Sequence, residues 1–126
     1  MAALLSGCNL LSNNSSTGPT TATTESFSGT LQPQGSAFYG FTVSTGGPVS
    51  VTLSSFGVTT TTGVGLGIGV PNGTASCTLA SFTNSAVAGS AAQITVNENP
   101  GTFCAEIYDP GGLPSASAFT ITVSHS

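Results

Sequence analysis

The fold class of this chain is decided by the stretch Val64-Gly65-Leu66-Gly67-Ile68-Gly69-Val70. Large apolar residues alternate with glycine through it, and a period of two residues indicates a β-strand rather than a helix. The strand has one apolar face and one face without side chains, and the turn signal Pro71-Asn72-Gly73 ends it.

The bare face of this strand consists of Gly65, Gly67 and Gly69. Glycine weakens the interior of a strand and often marks close approach by another backbone. In one interpretation the three glycines form an assembly face that packs against a second chain and builds a fibre or a surface lattice. In the other, a loop or the segment 75–91 of the same chain covers them. The sequence leaves both interpretations open.

The same alternation recurs along the rest of the chain, and no window shows a helical period. It predicts further strands at residues 27–31, 38–43, 49–54, 94–96, 103–107 and 119–123. The pattern is weak between residues 75 and 91, where we expect one short strand and a loop. Seven or eight short strands separated by turn signals predict an all-β fold, namely an antiparallel β-sandwich with a jelly-roll-like arrangement.

Charge is almost absent from the chain. None of its 126 residues is Lys or Arg, and the acidic residues are Glu25, Glu98, Glu106 and Asp109. Without cations to neutralise phosphates, nucleic acid is excluded as a partner, and so is a polybasic contact with anionic lipid. A net charge of −4 also gives little repulsion between sheet edges, so self-association is a candidate property.

The N-terminal segment Leu5-Ser6-Gly7-Cys8 resembles a bacterial lipobox, although no basic region precedes it. The resemblance implies that Cys8 carries a lipid, which would be the chain's one contact with a membrane, and that the protein is extracellular or on the cell surface. In the alternative, this segment is an apolar tail with a spare thiol. We divide the chain into a truncated, lipobox-like segment (1–11), a flexible Ser/Thr-rich linker (12–24) and a folded domain (25–126).

Cys77 and Cys104 form an even pair once Cys8 is set aside, and 27 positions separate them. In an exported protein this arithmetic predicts a disulfide bond between them. The alternatives are two buried free thiols or, less favoured, a zinc site, which lacks the usual ligand spacing.

Each side chain that could act as an acid or a base also has an interpretation in which it has no catalytic role. His125 lies next to the C-terminus, where chains fray, and Glu106 alternates with apolar residues and is expected to face solvent. Asp109 opens the turn Asp109-Pro110-Gly111-Gly112, although with Glu98 it could hold a weak calcium ion. We therefore predict no catalytic residue, no metal site and no cofactor.

The chain has two tyrosines, either of which could stack on a sugar. Tyr39 lies in the apolar register of its strand and is expected in the core. Tyr108 shares its register with Cys104 and Glu106, so it is the candidate for ligand contact at the surface. The alternative is a half-exposed tyrosine at a strand end with no ligand.

The order of the strand motifs resembles that of bacterial pre-peptidase C-terminal domains. The matching motifs, spread over residues 25–124, are Gly29-Thr30-Leu31, Tyr39-x-Phe41-x-Val43, Val49-x-Val51-x-Leu53, Pro100-Gly101-Thr102-Phe103 with Ile107, and Phe119-x-Ile121-x-Val123. The resemblance implies a small β-sandwich of the kind appended to secreted proteases and other surface proteins. Family members commonly carry acidic residues in the fourth strand, where this chain has glycines, so their calcium site is not implied here.

These observations predict a non-catalytic, secreted or lipid-anchored bacterial surface module with a binding or structural role. Its expected partner is an envelope or extracellular protein or a glycan. The alternative is a subunit of an extracellular filament or lattice, in which residues 4–11 or a sheet edge join the next subunit by strand addition. A small hydrolase dependent on His125 or Glu106 is not expected.

Overall fold

The computed structural model describes residues 22–58 and 63–126. The lipobox-like segment, Cys8 and nearly all of the predicted linker lie outside the described residues. The first described strand begins at Thr23, within the last two residues of the predicted linker. The described residues contain no helix long and apolar enough to cross a membrane.

Eight β-strands account for the fold of the described residues. They are β1 (Thr23–Leu31), β2 (Ser36–Val43), β3 (Gly47–Phe56), β4 (Val64–Asn72), β5 (Ser76–Ala86), β6 (Ile94–Glu98), β7 (Gly101–Tyr108) and β8 (Ser117–His125).

The strands form two four-stranded sheets, ordered β1-β8-β3-β6 and β2-β7-β4-β5, and every pairing is antiparallel. The pairs β1·β8, β2·β7, β3·β6 and β4·β5 are nested, as in one long hairpin that has been rolled into two sheets. With eight strands, this is the jelly-roll arrangement. The predicted fold class is confirmed.

Alternating side chains from both sheets meet in one core. The apolar positions of β4 (Val64, Leu66 and Ile68) face the same interior as Ile107 of β7 and Ile121 of β8, and all five are at most 1 % exposed. The alternation of apolar and polar residues in the sequence predicted these buried positions, because each sheet buries one face in the core and leaves its other face on the outer side.

β5 corrects the sequence-based expectation for residues 75–91. A short strand and a loop were predicted there, but β5 is an 11-residue strand, the longest of the described strands. It pairs with β4 through two register shifts, one between Val64 and Leu66 and the other between Ile68 and Gly69. These irregularities break the period of two, and an edge strand buries few side chains, so the pattern in the sequence is weak.

The predicted disulfide bond between Cys77 and Cys104 is confirmed, with an Sγ–Sγ distance of 1.98 Å. It joins β5 to β7, although β4 lies between these two strands in the sheet. Strands two positions apart in a flat sheet are about 9–10 Å apart, whereas the two cysteine Cα atoms are 6.0 Å apart. The beginning of β5 therefore leaves the plane of the sheet and crosses over β4.

Gly69 lies beneath this crossing. A Cβ atom built on Gly69 would overlap the carbonyl group of Thr78, which is backbone and cannot move aside as a side chain would. Gly69 is also the β4 residue paired with Cys104. The absence of a side chain at this position permits the crossing and the disulfide bond that fixes it.

Removing the disulfide bond should destabilise the domain substantially. In the chain-entropy model, a cross-link that closes a loop of this length contributes about 3–4 kcal/mol. We expect the Cys77→Ala/Cys104→Ala double variant to unfold at a lower denaturant concentration, with a free energy of unfolding lower by about that amount. Chemical denaturation measures the difference. As a control, a reducing agent should shift the wild-type midpoint and leave the double variant unchanged; equal stability of oxidised and reduced wild type would contradict the prediction.

Candidate functional site

The outer face of the β2-β7-β4-β5 sheet carries the glycine row of β4, and residues of the same chain cover it. A Cβ built on Gly65 would overlap the ring of Tyr108. A Cβ built on Gly67 would lie 2.8 Å from Leu79 and 3.0 Å from Phe82, both of β5.

Gly65, Gly67 and Gly69 are all buried within the single chain. The expectation that these glycines form an open assembly face is therefore not supported by the geometry. The second interpretation, in which residues 75–91 cover the glycines, describes most of the row, and Tyr108 covers the rest.

Tyr108 is held in place from two directions. It lies opposite Gly65 of β4 and Ser36 of β2 in the strand register. Its hydroxyl group donates a hydrogen bond of 2.5 Å to the Oδ1 atom of Asn84 in β5. Partial burial of the phenol and then the charge of Glu106 raise the pKa of Tyr108. The ring is half-buried, with its position fixed by the bare backbone beneath it and by the amide of Asn84.

The turn after β7 is organised by the carboxylate of Asp109. Its Oδ1 atom accepts hydrogen bonds from the backbone N–H groups of Gly111 (2.9 Å), Gly112 (3.0 Å) and Leu113 (3.1 Å). Its Oδ2 atom accepts one from the N–H of Gln34, 2.7 Å away, in the β1–β2 connection. The N–H of Gln34, and then those of the turn, hold the pKa of Asp109 below its usual value. The predicted turn is thus confirmed, and this carboxylate already has four backbone donors.

An open groove of about 400 Å³ lies between this turn and β5. Asn84 lines one side, and Pro110, Gly111 and Gly112 line the other. Leu113, only 7 % exposed, anchors the far end of the turn in the core. Gly111 adopts a φ of 124°, a conformation that a residue with a side chain rarely takes.

Sequence analysis identified Tyr108 and the turn at Asp109 but missed Asn84. Asn84 belongs to β5, whose period-two pattern is too weak to show which residues share a face. Only the register shifts of β5 against β4 bring this amide to the tyrosine hydroxyl. No local signal in the sequence marks it.

Glu106 lies on the same outer face, opposite Phe38 of β2 and Gly67 of β4. It is half-buried, not fully in solvent as the alternation suggested. Burial raises the pKa of its carboxyl group, and a hydrogen bond from Ser36 offsets part of that rise. Among the described residues, no group of three or more His, Cys, Asp or Glu side chains is placed to hold a metal ion.

His125 corrects the expectation of a frayed C-terminus. It is the last residue of β8, is only 5 % exposed, and stacks on Phe41 with ring centroids 5.2 Å apart. Its Nε2 atom lies 2.5 Å from the Oε2 atom of Glu25 in β1, and its Nδ1 atom lies 3.0 Å from the carbonyl oxygen of Ser126. Both ring nitrogens are therefore engaged, and the Nε2 contact joins the last strand to the first.

The His125–Glu25 pair should make stability depend on pH. Burial by itself lowers the pKa of His125, but the Ser126 carbonyl and the hydrogen bond and charge of Glu25 outweigh it, and the pKa is raised. Because the folded state binds the proton more tightly than the unfolded state, this stabilisation is complete below a pH of about 6.5. It is lost as the pH rises through the folded-state pKa.

We expect the free energy of unfolding to fall as the pH rises above about 6.5, the ordinary value of a histidine pKa. Urea denaturation at a series of pH values measures it. The His125→Gln variant should lose this dependence, and Glu25→Gln should reduce it. A wild-type profile identical to that of His125→Gln would contradict the assignment.

Comparison with models of known protein families finds no match, and comparison with curated proteins finds no match either. What this chain binds must therefore be inferred from its own side chains.

Proposed function

We propose that this chain is an exported, non-catalytic β-sandwich module that is held at a bacterial surface by a lipid on Cys8 and binds a partner through the Tyr108 face. The partner belongs to the envelope or to the extracellular space, as a protein or a glycan. The resemblance to pre-peptidase C-terminal domains is part of this proposal. The jelly-roll arrangement itself supports many functions and does not select among them.

The observation that carries the proposal is the disulfide bond between Cys77 and Cys104. Disulfide bonds form and persist in oxidising compartments and are rare in the cytosol. This one holds β5 across β4, so the shape of the outer face depends on it. A module that needs an oxidised cross-link for its surface is suited to work outside the cytoplasm.

The contacts that the ionisable side chains already make favour binding over catalysis. His125 pairs with Glu25, and the Asp109 carboxylate accepts four backbone N–H groups. A general acid or base must instead be free to exchange a proton with a substrate. The groove between β5 and the turn after β7 offers an amide and loop backbone, which are groups that can bind a ligand, and the amide is itself hydrogen-bonded to Tyr108.

A filament subunit is the second candidate function, and the sheet edges favour it. β2 and β5 are the edges of their sheet, and neither strand contains a charged residue or a proline. Charge and proline are the usual means by which edge strands avoid pairing with other chains. Phe82 of β5 is also 58 % exposed.

Electron microscopy of the purified mature protein separates the two candidate functions. We expect no long polymers, because the glycine row that could have packed against a second chain is already covered within the single chain. Long polymers at the same concentration would favour the filament subunit and contradict the monomeric module.

Replacing Cys8 with serine should release the protein from the membrane fraction, because a lipoprotein lipid is attached through the cysteine thiol. Fractionation of the native cells, with mass spectrometry of the N-terminal peptide, measures this. Ser12→Ala, four positions further along the chain, is the matched control and should stay with the membrane. Unchanged partition of Cys8→Ser, or reduced Cys77 and Cys104 in the native protein, would contradict surface anchoring and export respectively.

A further inference from the structure

We propose that the loop at residues 87–93 is a proteolytic cleavage site, and that cleavage leaves a two-chain molecule held together by the Cys77–Cys104 disulfide bond. The protease is of the class whose primary specificity pocket is small, as in elastase. The bond that it cuts joins Ala91 to Ala92. Hydrolysis adds one water molecule across this bond, so Ala91 gains a carboxylate and Ala92 gains a free amine. This cleavage does not depend on the proposed binding of a partner.

The loop connects β5 to β6 and carries the chain from one sheet to the other. Residues 87–92 are exposed without interruption. Val87, 69 % exposed, is the most exposed large hydrophobic residue in the described part of the chain. Small side chains fill the rest of this exposed stretch, in the order Ala88-Gly89-Ser90-Ala91-Ala92. Exposed loops made of small residues are the preferred sites of proteolytic nicking.

Hydrogen bonds at the two ends of the loop leave its middle free. The N–H of Gly89 donates to the carbonyl oxygen of Leu53, 3.0 Å away. The Nε2 atom of Gln93 donates to the carbonyl oxygen of Val87 (2.7 Å), and its Oε1 atom accepts from the N–H of Leu53 (2.8 Å). Within the part of the chain that the structure describes, residues 90–92 make no hydrogen bond. The scissile peptide therefore lies in the stretch whose N–H and C=O groups are open to a protease.

The residue types around the bond select the protease class. Ala91 has a methyl side chain, which fits a small specificity pocket. Trypsin-like proteases need Lys or Arg, and the chain contains neither. Chymotrypsin-like proteases need a large apolar side chain, but the exposed Phe82 lies within β5, where it pairs with Gly67 of β4. A protease that accepts alanine is the one that meets a suitable residue in an unpaired segment.

Other exposed alanines are less suited to cleavage. Ala75 lies in the tight connection 73–75 between β4 and β5. Ala116 directly precedes Ser117, which begins β8 and is only 3 % exposed. Proteases bind their substrates as extended segments of several residues, so a tight hairpin and the buried start of a strand are both poor substrates. The loop at 87–93 meets the requirement better than either.

The fold holds the two pieces together after the cut. Every strand pairing except β4·β5 joins a strand before the loop to a strand after it. No side chain of residues 87–93 belongs to the core. The disulfide bond adds a covalent link between β5 on one side of the cut and β7 on the other. The fragment 92–126 can therefore leave only when the disulfide is reduced and these pairings are broken.

Limited digestion of the purified, oxidised full chain with elastase tests the site. We expect a C-terminal fragment that begins at Ala92 to appear on denaturing gels run with a reducing agent and to be absent from gels run without it. N-terminal sequencing and mass spectrometry of this fragment identify the bond. Trypsin is the control protease and should leave the chain intact, because the chain has no Lys or Arg.

Three variants test the bond itself. Ala92→Pro should slow cleavage there by about tenfold or more, because proline after the scissile bond blocks serine proteases, while the N–H that it removes has no acceptor in the fold. Ala91→Asp should slow it by a similar factor, because an apolar pocket rejects a charge. Ala92→Ser is the matched control and should be cut at the wild-type rate. Denaturation curves verify that each variant is folded.

Four results would overturn the proposal. They are resistance of the folded wild type under conditions that cut the unfolded chain, a first cut in the folded domain outside residues 87–93, separation of the fragments without a reducing agent, and undiminished cleavage of folded Ala92→Pro. A rate that rises in proportion to the unfolded population in dilute urea would mark the first of these, since cleavage would then require global unfolding. Cleavage of the native loop should change little in dilute urea.

Discussion

The structure depends on one close contact between backbones, where the beginning of β5 crosses β4 above Gly69. A methyl group at Gly69 would occupy the space taken by the Thr78 carbonyl, so the two strands could not approach. Without that approach, Cys77 and Cys104 would be separated by the full width of β4. A residue with no side chain thus permits the cross-link, and the cross-link in turn holds the edge strand over the sheet.

The same principle extends along β4 towards the groove. Gly67 makes room for Leu79 and Phe82, and Gly65 makes room for the ring of Tyr108. The bare face of β4 is therefore a recess filled by its neighbours. Tyr108 lies against this backbone, and the side-chain amide of Asn84 holds its hydroxyl group. The rigid turn at Asp109 then supplies the opposite wall of the groove.

Local patterns in the sequence predicted the features that depend on a period of two. Val49, Val51 and Leu53 alternate with polar residues, and the structure buries all three in the core. The disulfide partners also followed from the sequence, because two cysteines remain once Cys8 is set aside. Their position on either side of β4 did not follow, since it depends on a strand leaving the plane of its sheet.

The errors share a physical cause, which is that non-local contacts leave no local signal. Asn84 reaches Tyr108 only through the register shifts of β5. His125 looked like a frayed end because the sequence gives no sign that Glu25, 100 positions earlier, lies beside it. The sequence likewise did not decide what covers the glycine row, because the pattern of residues 75–91 is too weak to reveal β5, an 11-residue strand.

The nested pairing of the strands has a consequence for how the chain folds. β4 and β5 are joined by a short hairpin. β1 instead pairs with β8, and the paired residues of these two strands are 86 to 102 positions apart in the sequence. Contacts between such distant positions make folding slow. While the chain is being synthesised, the first strand has no strand to pair with until the residues of β8 emerge from the ribosome. The sheet β1-β8-β3-β6 is therefore completed only after every described strand has been synthesised, because β8 is the strand that joins β1 to β3.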